Sequence, residues 1–400
     1  MSEKLAIVNA RLICDNAFSG LLYGKQILEG SVLLCEDGRI KGIYRDRDLA
    51  GYRIYDAKGA YVSPGFVDIH VHGGGGSDFM DGDDSAYENA VKAHLAHGTT
   101  SIMPTTLAAT TEALERAILH YKKAKATEGL GEYLIGLHLE GPYLSPAQAG
   151  AQKPGNIRDF DKAEYTHLTE LAEGCIKRWS VAPELPGAEE FAAFAQANGI
   201  TLSIAHSNAD FDTVLGAMAQ GYRHATHLYS GMSSVMRHNG FRVAGVVEAA
   251  YYADDMDVEI IADGCHLPPS LLKLIVKSKG INHVALITDA MRAAGQNVTE
   301  SYLGSKEDPT PVIIEDGVAK LPSRDAFGGS IATTDRLVRT MLSCGIDLAQ
   351  AVRMVTRTPV RMMGIKQKIG ELRQGYRADL CVFDENINIK AVFKRGKQVI

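Results

Sequence analysis

Pro64-Gly-Phe-Val-Asp-Ile-His-Val-His72 is an apolar run that closes on two histidines, and the same design recurs along the chain. Eight such runs are present: Tyr61 to His72, Thr99 to Thr105, Tyr133 to Glu140, Arg178 to Glu184, Thr201 to His206, His224 to Leu228, Val258 to Asp263 and Val284 to Asp289. Helix-spaced stretches such as Ser85 to His97, Thr111 to Ala126, Asp210 to Gln220 and Pro268 to Lys279 separate them. Eight strand–helix units predict the α/β class and a (β/α)8 TIM-like barrel. In such a barrel the functional groups collect where strands end, because the variable loops meet there above a packed interior. His70, His72, Glu140, Glu184, His206, His227, Asp263 and Asp289 all stand at or just past a predicted strand end.

The termini have a different pattern. Leu5 to Tyr55 and Ala378 to Ile400 alternate as strands do, and Glu36-Asp-Gly38 reads as a hairpin turn. A small β-sandwich built from residues 1–58 and 366–400 is therefore expected, with a barrel of residues 59–365 inserted between. The 400 residues are 46% apolar and 22% charged, which fits an ordered globular chain. A net charge of -6 without a Lys/Arg run argues against nucleic acid or an anionic membrane as partner. No apolar run approaches the roughly 18 residues that span a bilayer, so a cytoplasmic protein is expected. The six cysteines are scattered without a Cys-x-x-Cys pair, which disfavours a disulfide framework or a thiolate zinc site.

His70 and His72 stand two apart on one strand, so both imidazoles project from the same face. Glu140, His206 and His227 end the third, fifth and sixth strands, and Asp289 ends the eighth. Each has an ordinary structural explanation alone. In this order on one barrel rim they read as a divalent metal centre, with His70, His72, Glu140, His206 and His227 as ligands. Zn²⁺ and Fe²⁺ both suit imidazole-rich sites, and a central Glu140 allows one or two ions. His94, His97, His120, His167, His238 and His283 fall in helical or loop stretches and are assigned no role; His138 and His224 suit either support of a ligand or core packing.

These residues resemble the N-acetylglucosamine-6-phosphate deacetylases of the amidohydrolase superfamily. The likeness runs almost end to end. It is carried by Pro64 to Gly73, Gly136-Leu-His-Leu-Glu-Gly-Pro142, Ala182-Pro-Glu184, Ala205-His-Ser-Asn208, Ala225-Thr-His-Leu-Tyr229, Ile261-Ala-Asp-Gly-Cys-His266, Ile287-Thr-Asp-Ala290 and Gly370 to Leu380. Superfamily relatives such as the hydantoinases bridge two metals with a carboxylated lysine, and Glu140 points instead to the deacetylase branch. The resemblance implies hydrolysis of the acetamide of N-acetylglucosamine 6-phosphate to glucosamine 6-phosphate and acetate. It further implies that Asp289 carries the proton, that His266 holds the carbonyl oxygen, and that the protein is a homodimer.

The chain departs from the family after the sixth strand. An Arg-Glu/Asp-Pro-Gly segment, whose arginine reaches the sugar phosphate across a dimer interface, is usual there. Here the segment runs from His227-Leu-Tyr-Ser-Gly231 through Arg237 to Arg242, with Ser230 where Asn is usual. Ser230, Gly231, Arg237, Arg242, Gln152 and Phe327 are the expected substrate contacts, with Arg237 or Arg242 taking the phosphate role. The same chemistry on N-acetylgalactosamine 6-phosphate or an unphosphorylated N-acyl amino sugar is the alternative.

Overall fold

The computed structural model describes residues 3–14 and 26–400; residues 1–2 and 15–25 of the expected 1–58 segment lie outside them. Eight parallel strands form the centre: β1 (Phe66–Val71), β2 (Thr99–Thr106), β3 (Leu137–Glu140), β4 (Ile176–Val181), β5 (Thr201–Ile204), β6 (His224–Ala225), β7 (Asp257–Ile261) and β8 (Val284–Ile287). Each pairs in parallel with its sequence neighbour, with register shifts in the β1–β2 and β3–β4 pairs. The ring closes between β8 and β1, where Asp289 N–H donates to His70 O at 3.0 Å and His72 N–H to Ala290 O at 2.9 Å. This is the expected barrel.

Local chemistry sets the helices that wrap it. Asp161 caps Lys162–Ala172 through the amides of Ala163 and Glu164, Asp210 caps Phe211–Ala219 through Thr213, and Thr110 caps Thr111–Ala126 through Ala113. Each cap satisfies amides that the first helical turn leaves without partners and stabilises its helix by about 1 kcal/mol. Past the caps, apolar positions three and four apart, such as Leu114, Ala117, Ile118 and Tyr121, are buried against the barrel. Among the described residues no helix is long and apolar enough to cross a membrane.

Both termini build the second unit. A four-stranded sheet orders Arg39–Tyr44, Val32–Glu36, Lys4–Val8 and Arg53–Asp56; a six-stranded sheet orders Lys397–Gln398, Ile389–Lys394, Leu380–Phe383, Tyr61–Pro64, Arg11–Ile13 and Ile27–Leu28. Leu5, Ile7, Leu33, Val62, Leu380, Val382 and Phe393 pack between them. Asp37 and Gly38 make the hairpin turn.

The run Tyr61 to His72 divides where one barrel strand is expected. Tyr61–Pro64 pairs with Leu380–Phe383 in the terminal sheet, and the barrel strand begins at Phe66. Gly65 makes the crossing, because a Cβ there would lie 2.2 Å from Thr100 Oγ1. Most other strands are also shorter than the expected runs, β3 and β6 most of all: β3 starts only after Gly136, and β6 ends at Ala225 so that His227 lies past it. An antiparallel sheet of Glu300–Leu303, Thr310–Glu315 and Val318–Lys320 is inserted after β8 and walls one side of the barrel mouth.

Candidate active site and metal centre

Two kinds of strand end deliver the side chains. His70 lies within β1, His72 follows it directly, and Glu140 is the last residue of β3. His206, His227 and Asp289 each stand two residues past β5, β6 and β8, with φ of 45°, 34° and 49°. Left-handed backbone at a residue other than glycine costs on the order of 1–3 kcal/mol and clusters at functional sites. All six side chains converge over the barrel axis, and all six residues are buried.

The donor atoms meet around two centres. Ligand atoms of His70, Glu140 and His227 lie within 4.8 Å of one another, as do those of His70, His72 and Asp289. Glu140 reaches both halves: Oε1 is 2.8 Å from His227 Nε2 and 3.4 Å from His206 Nε2, and Oε2 is 3.5 Å from His72 Nε2. Asp289 Oδ1 lies 3.2 Å from His70 Nε2 and 3.1 Å from His72 Nε2.

The ring tautomers fit a cation. Nδ1 of His72, His206 and His227 faces the carbonyl oxygens of Thr105, Gln148 and Ser230 at 3.2, 2.7 and 3.1 Å. A carbonyl accepts only, so each Nδ1 carries the hydrogen, and each Nε2 meets the carboxylates either as the second N–H of an imidazolium or as a lone pair across a cation. Lone pairs facing carboxylate oxygens repel unless a positive charge stands between them. Electrostatics agree. Burial raises the Glu140 carboxyl, yet His70, His206 and His227 outweigh it and hold it well below the usual carboxylate range. Burial likewise raises Asp289, and His70 and His72 more than reverse it. Burial disfavours the charge on His70, but Glu140 and Asp289 push it up to about 10. A cluster that draws protons so strongly is one that a divalent ion suits.

These donors line a cavity of about 200 Å³. Gln152, Ser230, Gly231, His266 and Phe327 line it as well. Gln152 is buried; its Nε2–H donates to Glu140 Oε2 at 2.8 Å, and its Oε1 accepts from Ala108 N–H at 2.9 Å, which aims the carboxylate. His266 Nδ1 sits 2.9 Å from Asp263 Oδ2, and its ring packs edge-on against Phe327 at 4.8 Å. Gly231 has φ of 56°, and a Cβ there would meet His206 Nδ1 at 2.7 Å. Arg237 and Arg242 lie outside the lining. They face each other across an exposed hairpin of Met236–His238 and Phe241–Val243. Among the described residues no Lys or Arg lines this cavity.

Some supports escaped the sequence reading, and others were named there without a settled role. His94, assigned no role, is fully buried, and its Nε2 lies 2.9 Å from Gly73 O, just past His72. Burial pushes its ring down to about 4, so it serves as a neutral strut. Trp179 donates Nε1–H to Gly141 O at 2.8 Å and so fixes the turn after Glu140. Glu184 accepts from Ser207 Oγ and the Asn208 amide, bracing the loop that carries His206. His138 joins a buried polar layer with Thr105 and Ser180, at 3.2 and 2.7 Å, whereas His224 lies toward Asp257 at 3.8 Å. For His94 the i, i+4 position relative to Ala90 on an apolar helix face was the available signal.

Comparison with known proteins places this geometry. A model of the amidohydrolase family matches residues 61–399. The chain is 30% identical to the N-acetylglucosamine-6-phosphate deacetylase of Bacillus subtilis (strain 168), covering 99% of this chain and 97% of that protein. It is 31% identical to the N-acetylgalactosamine-6-phosphate deacetylase of Shewanella sp. (strain ANA-3), covering 83% and 82%. A solved structure of a Mycobacterium smegmatis N-acetyl-D-glucosamine-6-phosphate deacetylase mutant, in complex with N-acetyl-D-glucosamine-6-phosphate, superposes with a TM-score of 0.88 at 30% identity, covering 100% of this chain and 99% of that one. A superposing fold, a matched family model and full-length relatives agree: the chain belongs to the amidohydrolase family and, within it, to the N-acetylglucosamine-6-phosphate deacetylase family, hydrolases of carbon–nitrogen amide bonds.

Proposed function

We propose that this chain is a metal-dependent deacetylase that hydrolyses the acetamide of N-acetylglucosamine 6-phosphate to glucosamine 6-phosphate and acetate. The observation that carries the reading is the convergence of Glu140, four imidazoles and Asp289 on one cavity. His70, His72, Glu140, His206 and His227 would hold one or two ions of the Zn²⁺ or Fe²⁺ class. Such an ion, when bound, lowers the pKa of a water and polarises the amide carbonyl.

The chain's own groups do the rest. Asp289, facing both His70 and His72, accepts the proton of the attacking water and returns it to the amine nitrogen. That return is required, because an amide anion is a very poor leaving group. His266, steadied by Asp263, turns its free ring edge to the carbonyl oxygen; one such contact is worth about 10²- to 10³-fold in rate. Gln152 keeps Glu140 aimed, and Phe327, packed on His266 in the cavity wall, would contact the substrate. Ser230 and Gly231, which line the cavity, would contact the sugar. The phosphate falls to Arg237 or Arg242, reaching in from the hairpin of this chain or of a second copy in a homodimer; a guanidinium fork matches phosphate oxygens.

A second reading keeps the chemistry and changes the sugar. It is favoured by a lining without Lys or Arg among the described residues and by the similarity to a protein named N-acetylgalactosamine-6-phosphate deacetylase. Acetate release from N-acetylglucosamine 6-phosphate, N-acetylgalactosamine 6-phosphate and unphosphorylated N-acetylglucosamine, with metal content measured alongside, separates the two. Preference for the first substrate supports the proposal. Equal rates with and without phosphate would sink it in favour of a broader amino-sugar deacetylase.

A further inference from the structure

Three of the four imidazoles in the metal centre give their Nδ1 hydrogen to a backbone carbonyl, and His70 does not. Its Nδ1 is fully buried without a hydrogen-bond partner. Buried polar atoms are as a rule satisfied, so this one calls for an explanation. Glu259 Oε2 faces it at 3.7 Å, and that oxygen is itself buried without a partner. The two orphaned atoms face each other at slightly more than hydrogen-bond length. Of the three imidazoles beside His70, those of His72, His138 and His227, the His138 ring is edge-on at 4.8 Å, with its nitrogens directed to Thr105 and Ser180.

Glu259 does not stand there by itself. Its second oxygen, Oε1, accepts from Arg178 Nη1, and both residues have no exposed surface. Arg178 Nη2 donates to Ser203 Oγ at 2.9 Å and Thr226 Oγ1 at 2.8 Å, so one guanidinium ties β4, β5, β6 and β7 together beneath the metal centre. Thr226 is the neighbour of His227. A barrel layer usually filled by branched apolar side chains holds here a clamped carboxylate aimed at a metal ligand.

We infer that Glu259, clamped by Arg178, is the positioning residue of His70: it takes the Nδ1 hydrogen so that Nε2 is left to face the metal. The inference rests on the metal-centre reading above. A carboxylate acceptor fixes the tautomer and raises the basicity of the ring beyond what a carbonyl does, and loss of such a partner weakens metal binding about 10- to 100-fold. Arg178 makes the arrangement tolerable, since a lone buried carboxylate carries a large desolvation cost. His70 belongs to both donor groups, so strengthening it serves both halves of the centre.

The test measures Zn²⁺ dissociation constants by chelator competition, and the visible spectrum of the Co²⁺-substituted protein, on the full chain and on Glu259→Gln. The expected result is a folded variant that binds Zn²⁺ about 10- to 100-fold more weakly and shifts the Co²⁺ bands, with KM at saturating metal within about twofold of the parent. A pair that merely braced the barrel would lower the melting temperature and leave affinity and spectrum untouched. Should the single variant not fold, Arg178→Gln with Glu259→Gln leaves no lone buried charge and is expected to show the same metal loss. Parental affinity and spectrum in either folded variant overturn the inference, and so does failure of both to fold, which would make the pair scaffold. A parent that binds Zn²⁺ but releases no acetate sinks the deacetylase reading and leaves this assignment standing; a parent that binds neither ion overturns both.

Discussion

Replacing Asp289 by asparagine isolates proton transfer from scaffold, because the backbone at this position tolerates the change. Asp289 has φ of 49°, and asparagine is among the few residues that enter left-handed backbone readily. The backbone bonds on either side, Asp289 N–H to His70 O at 3.0 Å and Ser330 N–H to Asp289 O at 2.9 Å, do not involve the side chain. Loss of a general acid–base is worth about 10²- to 10⁴-fold, which is about 3–5 kcal/mol of barrel-mouth chemistry at 1.36 kcal/mol per decade. The amide cannot accept the proton, and its neutral oxygen also leaves His70 and His72 without their carboxylate. Metal should therefore fall in the His70–His72 half and hold in the Glu140–His206–His227 half. The assay is kcat for acetate release at saturating substrate and metal, with metal counted per chain and the fold followed by circular dichroism. Asp289→Ala should lose as much activity and, in addition, about 1–2 kcal/mol of stability from its left-handed backbone. An asparagine variant that keeps full metal and more than about a tenth of the parental kcat would refute the assignment.

Gly231→Ala places a Cβ 2.7 Å from His206 Nδ1 and 3.1 Å from Gln148 O, so it should displace His206 and lower metal content while the fold persists; metal analysis checks it. Gly65→Ala brings a Cβ within 2.2 Å of Thr100 Oγ1 and should destabilise by about 1–3 kcal/mol, and Gly65→Ala with Thr100→Ala should recover much of that loss in thermal melts. Glu164 is raised by burial but lowered further by Arg158, Thr111 and Tyr143, so its folded pKa lies below the ordinary value. Its contribution is thus full above the unfolded carboxylate pKa of about 4.3 and is lost as pH falls through the depressed folded value; Glu164→Gln should lower the melting temperature at neutral pH and flatten its decline into acid.

The barrel was legible because each apolar run has a polar residue at or just past the end of its strand, and the six central residues because each stands there. What stayed hidden depends on contacts between distant segments. Tyr61 to His72 is one apolar run in sequence, and only the arrival of Leu380–Phe383, more than three hundred positions on, assigns its first four residues to the other sheet. Arg178 and Glu259 each read as an ordinary strand residue, since nothing in either local pattern announces a partner eighty-one positions away. His94 reads as a helix residue until packing places it under Gly73. Arg237 and Arg242 were chosen by charge, and the fold sets them on an exposed hairpin.

Strain and support at the barrel mouth explain why these side chains come where they do. A residue that continues a strand points its side chain in or out by alternation, which suits His70 and His72 but offers one inward position in two. A left-handed residue just past the strand turns the chain sharply there, and His206, His227 and Asp289 all use it. At about 1–3 kcal/mol each, three such residues would relax unless their surroundings held them. Backbone bonds do so: Ser145 N–H to His206 O at 2.8 Å, Ser230 N–H to His227 O at 2.9 Å and Ser330 N–H to Asp289 O at 2.9 Å. Each bond comes from a loop rather than from the ligand's own strand, so the loops set the donor positions and the strands set only their order. Chemistry on this rim therefore follows from loop sequence over a constant barrel, and the segment around Ser230 holds His227 with one end while its other end carries the hairpin of Arg237 and Arg242.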